Sequence, residues 1–412
     1  MKGKGIIVFL LLGVLFMMSL FLRSSPAVIA NDLMDEFSIL PVTMGLMASV
    51  YFWAYGLVQI PVGYLSDRIG VRNTVAIFAL LGVVGSICFA FAQNVQMAIW
   101  TRLIFGIGTA GIWVPALKYL SVTYNPGEFA SLTSILSSIG SCGMILSSFP
   151  LAVLVERTNW RFPFILAGII LLFLVICAWR LIPAKTVVPD TGNNEPDNNE
   201  QGRVKSRISI KDYVKRNYKL FFFFIWAFLI YGSIFSFQGL WGVPYLEDVF
   251  SISRQSAGVM AMFLPVGIIL GGPFWGLFSD RYFKARKPVL LLGTIGFLAA
   301  IIAFIFIKNY PGVIIFSLIY FFYGFFGVVF LINLTSVKEY LPLEITGTVM
   351  GILNTLMIMS VGFYQNVTGY YLNYFFNLTN TATAYQNIFI IYGLSAVIAF
   401  VMVLLMPETF KE

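Results

Sequence analysis

Gly63-Tyr64-Leu65-Ser66-Asp67-Arg68 and Gly276-Leu277-Phe278-Ser279-Asp280-Arg281 are two copies of one pattern, set 213 residues apart. The same offset pairs Leu33, Asp35, Phe37, Ser38 and Ile39 with Leu246, Asp248, Phe250, Ser251 and Ile252. Pro126 and Glu128 are answered at a slightly larger offset by Pro342 and Glu344. A match that recurs at one offset across two apolar segments and their connections marks a duplicated unit. The two copies keep the same order and charge pattern. They are therefore expected as parallel structural repeats about an axis along a membrane normal.

The segments around each copy are apolar enough to require a bilayer. The 412 residues are 59% hydrophobic and 11% charged, whereas a soluble domain carries about 25% charged residues. A membrane helix needs about 20 mostly apolar residues. Such segments fall near 5–30, 42–65, 73–93, 97–122, 129–155 and 161–182, and again near 218–246, 255–279, 287–307, 311–337, 343–373 and 384–406. The expected fold is an all-α membrane protein of twelve transmembrane helices in two six-helix bundles, 1–182 and 218–412. A polar linker, 183–217, joins them; its Asn193–Glu200 run has a composition that does not fold, and Arg203, Lys205, Arg207, Lys211, Lys215 and Arg216 make its end basic.

Charge predicts orientation. With both termini inside, Lys2, Lys4, Arg68, Arg72, the linker bases, Arg281, Lys284, Arg286, Lys287 and Lys411 are internal, and only Arg157, Arg161, Arg254 and Lys308 are external. The positive-inside rule selects that arrangement: a multi-pass protein of the cell membrane with cytoplasmic termini. The opening run to Phe21 is longer than a signal-peptide core and lacks a small-residue cleavage site, so it reads as the first span.

The sequence argues against several other classes. It has no histidine, which removes the commonest metal ligand and neutral-pH proton carrier. Cys88, Cys142 and Cys177 lie in apolar runs with no zinc-site or disulfide spacing. No metal, cofactor or catalytic group is expected, and the chain does not read as an enzyme. The net charge of +8 is explained by topology, so nucleic acid is not an expected partner. Gly106-x-Gly108-x-x-Gly111 fits a dinucleotide fingerprint but has no preceding strand; within a membrane helix it reads as close packing. No P-loop is present. The sequons at Asn333, Asn366 and Asn377 carry no weight, since only the last falls in an external loop.

Gly63-x-x-x-Asp67-Arg68-x-Gly70-x-Arg72 resembles the signature of the major facilitator superfamily between helices 2 and 3, and the copy at Gly276, Asp280 and Arg281 resembles its counterpart between helices 8 and 9. That copy is degenerate, because Tyr282 and Phe283 stand where a glycine is expected. Arg102-x-x-x-Gly106-x-Gly108 resembles the helix-4 motif, and Asn159-Trp160-Arg161 precedes helix 6 as in the family. The resemblance covers the whole chain. It implies a monomeric secondary transporter that works by alternating access, in which Gly63, Asp67, Arg68, Arg72, Gly276, Asp280 and Arg281 form a latch between the bundles.

Charges inside membrane helices are functional candidates. Arg23 ends the long apolar run of helix 1 and Arg102 lies in helix 4; the resemblance implies that both helices line the central cavity. Arginine suits bidentate recognition of carboxylate or phosphate, so the expected substrate is a small organic anion or zwitterion: a carboxylate, sugar acid, phosphate ester or amino acid. At the repeat offset Arg23 meets Ser236 and Arg102 falls near Tyr320, so the second half is neutral there and offers Tyr231, Gln238, Trp241 and Asn354. Tyr51, Tyr55 and Gln59 share one face of helix 2, and Trp113 lies in helix 4. No Asp or Glu sits at mid-membrane, which argues against a buried coupling acid; Asp32 is the acid nearest the outer mouth. The resemblance has a departure at Thr109, where the organic-anion branch often carries an acid. A drug or lipid exporter of the same fold is the alternative, though Gly140-Ser141-Cys142-Gly143 matches the exporters' helix-5 motif poorly. A non-transporting membrane receptor is the third reading.

Overall fold

The computed structural model describes residues 3–184, 213, 217–376 and 378–410. Most of the expected linker lies outside these residues, with its bases from Arg203 to Arg216, as do Lys2, Lys411 and Asn377. All regular structure among the described residues is helical. Among them, eleven helices are long and apolar enough to cross a bilayer. The longest, Pro41–Ala90, reverses direction at Gly70, where φ is 82°. Glycine alone adopts that conformation without strain. This element therefore crosses twice, and the described residues form twelve spans.

The first span is α1 (Gly3–Ser24), extended beyond its apolar stretch by α2 (Pro26–Glu36), and spans 2 and 3 share α3 (Pro41–Ala90). Span 4 is α4 (Val95–Thr123); span 5 is α5 (Pro126–Leu146) and α6 (Phe149–Arg157); span 6 is α7 (Phe162–Leu181). Span 7 is α8 (Leu220–Ser236) and α9 (Gly242–Phe250), joined by a π-helical turn over Phe237–Trp241. Span 8 is α10 (Arg254–Leu277) with a second π-helical turn, Phe278–Phe283, and span 9 is α11 (Lys287–Phe306). Span 10 is α12 (Val313–Gly327) and α13 (Phe330–Tyr340); α14 (Leu343–Phe376) and α15 (Thr381–Leu405) complete the set. Proline opens α2, α3, α5, α6, α7 and α11 at the first or second position, where its missing N–H costs nothing. Large side chains such as Leu57, Ile60, Trp100, Phe173 and Ile314 are exposed, as a lipid-facing surface requires.

The sequence places a loop between spans 2 and 3. The structure keeps Asp67 and Arg68 helical, and only Gly70 breaks the run. The repeat is visible in the backbone: among described non-glycine residues, Ser38 (φ 50°) and Ser251 (φ 52°) take the left-handed conformation at equivalent positions, and Lys284 is the one other case.

The first six spans meet the last six at one end. That end, here the far face, carries the ends of spans 1, 2, 7 and 11; the opposite end, the terminal face, carries the chain termini. Spans 2 and 11 cross with backbone on backbone near the far face. A Cβ on Gly45 would lie 2.4 Å from the Gln365 carbonyl oxygen, and one on Gly369 2.7 Å from that of Pro41. On span 8, Gly258 packs against Phe149 and Ala152 of span 5. Toward the terminal face, Gly63, Gly276, Gly347 and Gly351 have no neighbouring atom within 4 Å of such a Cβ. The halves are thus closed at the far face and splayed at the terminal face.

Gly45→Leu is expected to leave each half folded and to push the far-face crossing apart. Spin labels at Gln93→Cys and Lys308→Cys, in exposed far-face loops of opposite halves, would report a longer distance in the variant. An unchanged distance in a monodisperse variant would refute the seam.

Candidate functional site

Where span 1 bends at Ser25, its polar residues come against spans 2, 4 and 7. Arg23 is 8% exposed and Arg102 is 1% exposed. The Arg23 guanidinium lies 4.9 Å from the Phe52 ring centroid, 4.8 Å from that of Phe235 and 5.8 Å from that of Tyr231. Its Nη2 donates to the Tyr231 hydroxyl at 3.2 Å, across the two halves. Arg102 lies over the rings of Tyr51 (5.2 Å) and Phe105 (4.9 Å). Its Nη1 reaches the Leu22 carbonyl at 3.4 Å, while Nε and Nη2 have no partner among the described residues. Neither arginine pairs with a carboxylate among the described residues. Ring faces stabilise a guanidinium by about 0.5–2 kcal/mol each, which does not replace the solvation of a buried charge.

The other expected site residues divide. Tyr51 is buried against both arginines, its hydroxyl 2.8 Å from Thr109 Oγ1, and the Tyr55 ring lies tilted beside it with centroids 6.0 Å apart. Gln59, one turn on, is buried and leaves its amide without a hydrogen-bond partner among the described residues. Gln238 accepts from Ser24 Oγ at 3.2 Å, so it too bridges the halves. Tyr51, Tyr55 and Tyr231 interact with Arg23, and Gln238 bonds the serine next to it. Trp241 stands apart: it is fully buried and donates to Thr368 Oγ1 at 2.8 Å within the second half. Trp113 pairs with Phe16 at 4.5 Å, three turns along α4 from Arg102. Asn354 lies beside Thr355 at the crossing of spans 2 and 11. The π-helical turn that places Gln238 was not legible in sequence; such turns insert one residue and re-aim the next side chains.

The doubled signature forms two unlike clusters, each within its own half. Lys118 Nζ, 2.7 Å from Asp67 Oδ1, also donates to the Ser66 carbonyl. Arg68 covers Tyr64 and Arg72 covers Trp179. In the second copy Arg286, not Arg281, is the hub. It holds Glu339 through Nε (3.1 Å) and Nη2 (2.7 Å), and also bonds Ser279 and Asp280. Arg281 is exposed. Glu408 brings the C-terminal segment to this hub. Burial alone would raise its carboxyl, but the backbone N–H groups of Arg286, Phe410, Lys287 and Thr409 hold it below the ordinary range. The sequence reading missed Lys118, Arg286 and Glu339 as partners of the signature. A Cβ on Gly63 or Gly276 would meet no atom within 4 Å in this conformation.

Twelve spans in two related sets, closed at one end around buried charge, make up a polytopic membrane protein built from a duplicated unit. The profile described as Major Facilitator Superfamily matches residues 9–245 and 232–412, and the chain belongs to that family. That family is one of multi-pass membrane transporters, and this chain spans 63% of the length of one of the curated relatives it matches. It is 24% identical over 270 residues to a hexuronate transporter of Bacillus subtilis, a match covering 65% of this chain and 63% of that protein. It is 26% identical over 333 residues to a gentisate transporter of Corynebacterium glutamicum, covering 78% and 71%. Among solved structures, a bacterial homolog of the human lysosomal transporter Spinster, inward-facing and occupied, superposes with a TM-score of 0.78 at 16% identity over 98% of this chain and 97% of that one. The nucleoside transporter NupG gives 0.75 at 15% identity over 97% and 98%.

Arg286→Ala is expected to cost about 1–3 kcal/mol, because it removes a buried guanidinium that bonds Glu339, Asp280 and Ser279. Asp67→Asn, which breaks a pair whose acid is 74% exposed, is expected to cost at most about 1 kcal/mol. Melting temperatures in one detergent decide: equal losses would mean that the two copies are structurally equivalent.

Proposed function

We propose that the protein carries a small organic anion, most simply a carboxylate, across the cell membrane by alternating access. One observation carries this reading: Arg23 and Arg102 are buried around Tyr51 with no carboxylate among the described residues to balance either. Buried cations are normally paired. A planar anion supplies the missing bidentate acceptor and removes the cost of the empty site. Tyr51, Tyr55, Gln59 and Gln238 then offer neutral hydrogen bonds to the rest of the molecule, while Trp113 and Asn354 lie farther along spans 4 and 11 and Trp241 stays within the second half. Relatives named for hexuronate, gentisate and D-galactonate move organic acids, which supports the same class.

The basic residues of the terminal face favour its placement in the cytoplasm with both chain termini. On that placement the conformation described here is inward-facing. The bundles 1–182 and 218–412 rock about the arginine level. Asp67, Arg68 and Arg72, with Gly63, Gly276, Asp280 and Arg281, latch the cytoplasmic ends when the outer seam opens. The unit is a monomer in the bilayer.

A thermal-shift screen of the purified protein tests the anion site, because a ligand that binds the folded state stabilises it by about 2.7 kcal/mol at a hundredfold excess over Kd. D-glucuronate, D-galactonate and gentisate are compared with glucose and choline, on wild type, Arg23→Ala and Arg23→Lys. The expected result is a rise with one or more anions, lost in Arg23→Ala and reduced at least tenfold in affinity in Arg23→Lys. A response to choline alone, or equal responses of wild type and Arg23→Ala, would overturn the reading and favour an exporter of apolar or cationic compounds.

A further inference from the structure

The far-face seam is held by polar groups whose charges do not balance. Asn31 on α2 donates to Glu247 Oε2 at 3.0 Å and to Asp248 Oδ1 at 2.8 Å on α9. Arg254, the first residue of α10, donates through Nη2 to Asp32 Oδ1 at 2.9 Å and through Nε to Glu247 Oε1 at 3.4 Å. Tyr385 of α15 donates to the second oxygen of Asp248 at 2.7 Å. Asp35 stands close by, exposed at the edge. Elsewhere at this end Glu36 is held by Trp160 and Arg161, and Glu156 by Gln255, while Arg157 and Lys308 are exposed. Asp32, Glu247 and Asp248 therefore share one guanidinium, and Asp32 Oδ2 is enclosed with no donor among the described residues.

The helix ends add to this imbalance. Asp32, Glu247 and Asp248 lie in the last two turns of α2 and α9, where the helix dipole disfavours negative charge. Arg254 begins α10, where the dipole disfavours positive charge. The repeat causes the juxtaposition: Asp35 and Asp248 are equivalent positions, so closing the far face brings the acidic ends of spans 1 and 7 together.

We propose that the far-face seam is a proton-sensitive gate: it takes up a proton among Asp32, Glu247 and Asp248 as it closes, and releases it as it opens. Protons at the far face thus favour the terminal-face-open conformation. The coupling acid missing from the membrane interior is replaced by a shared acid at the outer seam. Asp32 lies beyond the apolar stretch Gly5–Ser24. Burial raises its carboxyl above the ordinary range, by more than Arg254 lowers it, in agreement with the geometry. The sign follows by linkage. The closed state binds the proton more tightly than the open one, so closure is favoured at low pH. That advantage is lost as pH rises through the closed-state value.

The experiment needs no substrate and is independent of the anion site. Spin labels at Gln93→Cys and Lys308→Cys, in protein whose Cys88, Cys142 and Cys177 are replaced by serine, report the far-face distance in nanodiscs between about pH 8 and pH 5. The closed population is expected to grow as pH falls, by at most about tenfold in the closed-to-open ratio per pH unit for one proton. Glu247→Gln and Asp248→Asn are expected to be predominantly closed at high pH and to lose most of the pH response. Arg254→Gln is expected to open the seam at high pH and to close it again at low pH. Acids that act only as salt-bridge partners predict the opposite, with Glu247→Gln opening the gate. That result, or a wild-type distance independent of pH, would overturn the proposal. Monodispersity of each variant guards against misfolding.

Discussion

At Gly45 and Gly369 the backbones of spans 2 and 11 touch with no side chain between them, and this crossing sets what the rest of the molecule can do. In lipid, helices gain little from burying apolar surface against one another, because the tails are equally apolar. Close backbone approach and hydrogen bonds must hold them. The two halves have both only near the far face. Below the level of Gly56 no comparable contact joins spans 2 and 11 among the described residues, and the terminal ends stand apart. A contact so confined is a pivot. The proposed alternating access turns on it, since it joins the halves without involving the packing inside either six-helix set, whose own glycine contacts, such as Gly108 on Gly82, are as tight.

The arginines lie just inside that pivot. Arg23 belongs to the first half, yet it donates its hydrogen bond to Tyr231 of the second. Ser24 and Gln238 repeat the arrangement one residue further on. Charge at the site is therefore sensed by both halves, and an anion that neutralises it changes the energy of their contact. This links occupancy to conformation through stated bonds: a ligand shifts such an equilibrium only by its differential interaction with the two states.

Much of the architecture was legible in sequence because a bilayer permits so few solutions. Apolar length marked the spans, and the 213-residue offset marked the duplication, which reappears as left-handed serines at 38 and 251. Arg23 and Arg102 stood out because a guanidinium in an apolar run is costly, although snorkelling of Arg23 and a structural role for Arg102 were open on sequence alone. What was hidden depended on contacts distant in sequence or on backbone irregularity. Lys118 sits in the same apolar helix as Arg102, yet only folding shows that it reaches Asp67 on span 2. The degenerate second signature gave no hint that Arg286 replaces Arg281 as its hub. Trp241 was a reasonable binding residue by type, but Thr368, a neighbour only in space, satisfies its indole.

The duplication also explains why the halves differ where they do. Symmetry repeats the acid at the ends of spans 1 and 7, where the two copies meet, but it does not repeat the arginines. A carrier with a cation in both halves would hold like charges across a closing interface. Here the positive charge is confined to the first half, and tyrosine, glutamine and a tryptophan–threonine pair occupy the facing half. At the seam the same logic runs in reverse. The repeated acids do face each other, and Asn31 and Arg254, which fall against Pro244 and Pro41 at the repeat offset, supply the donors that make their meeting tolerable. Glycines that keep the repeat, Gly45 and Gly258, let the backbones of the halves touch, and donors that break it offset the charge of the acids that meet there.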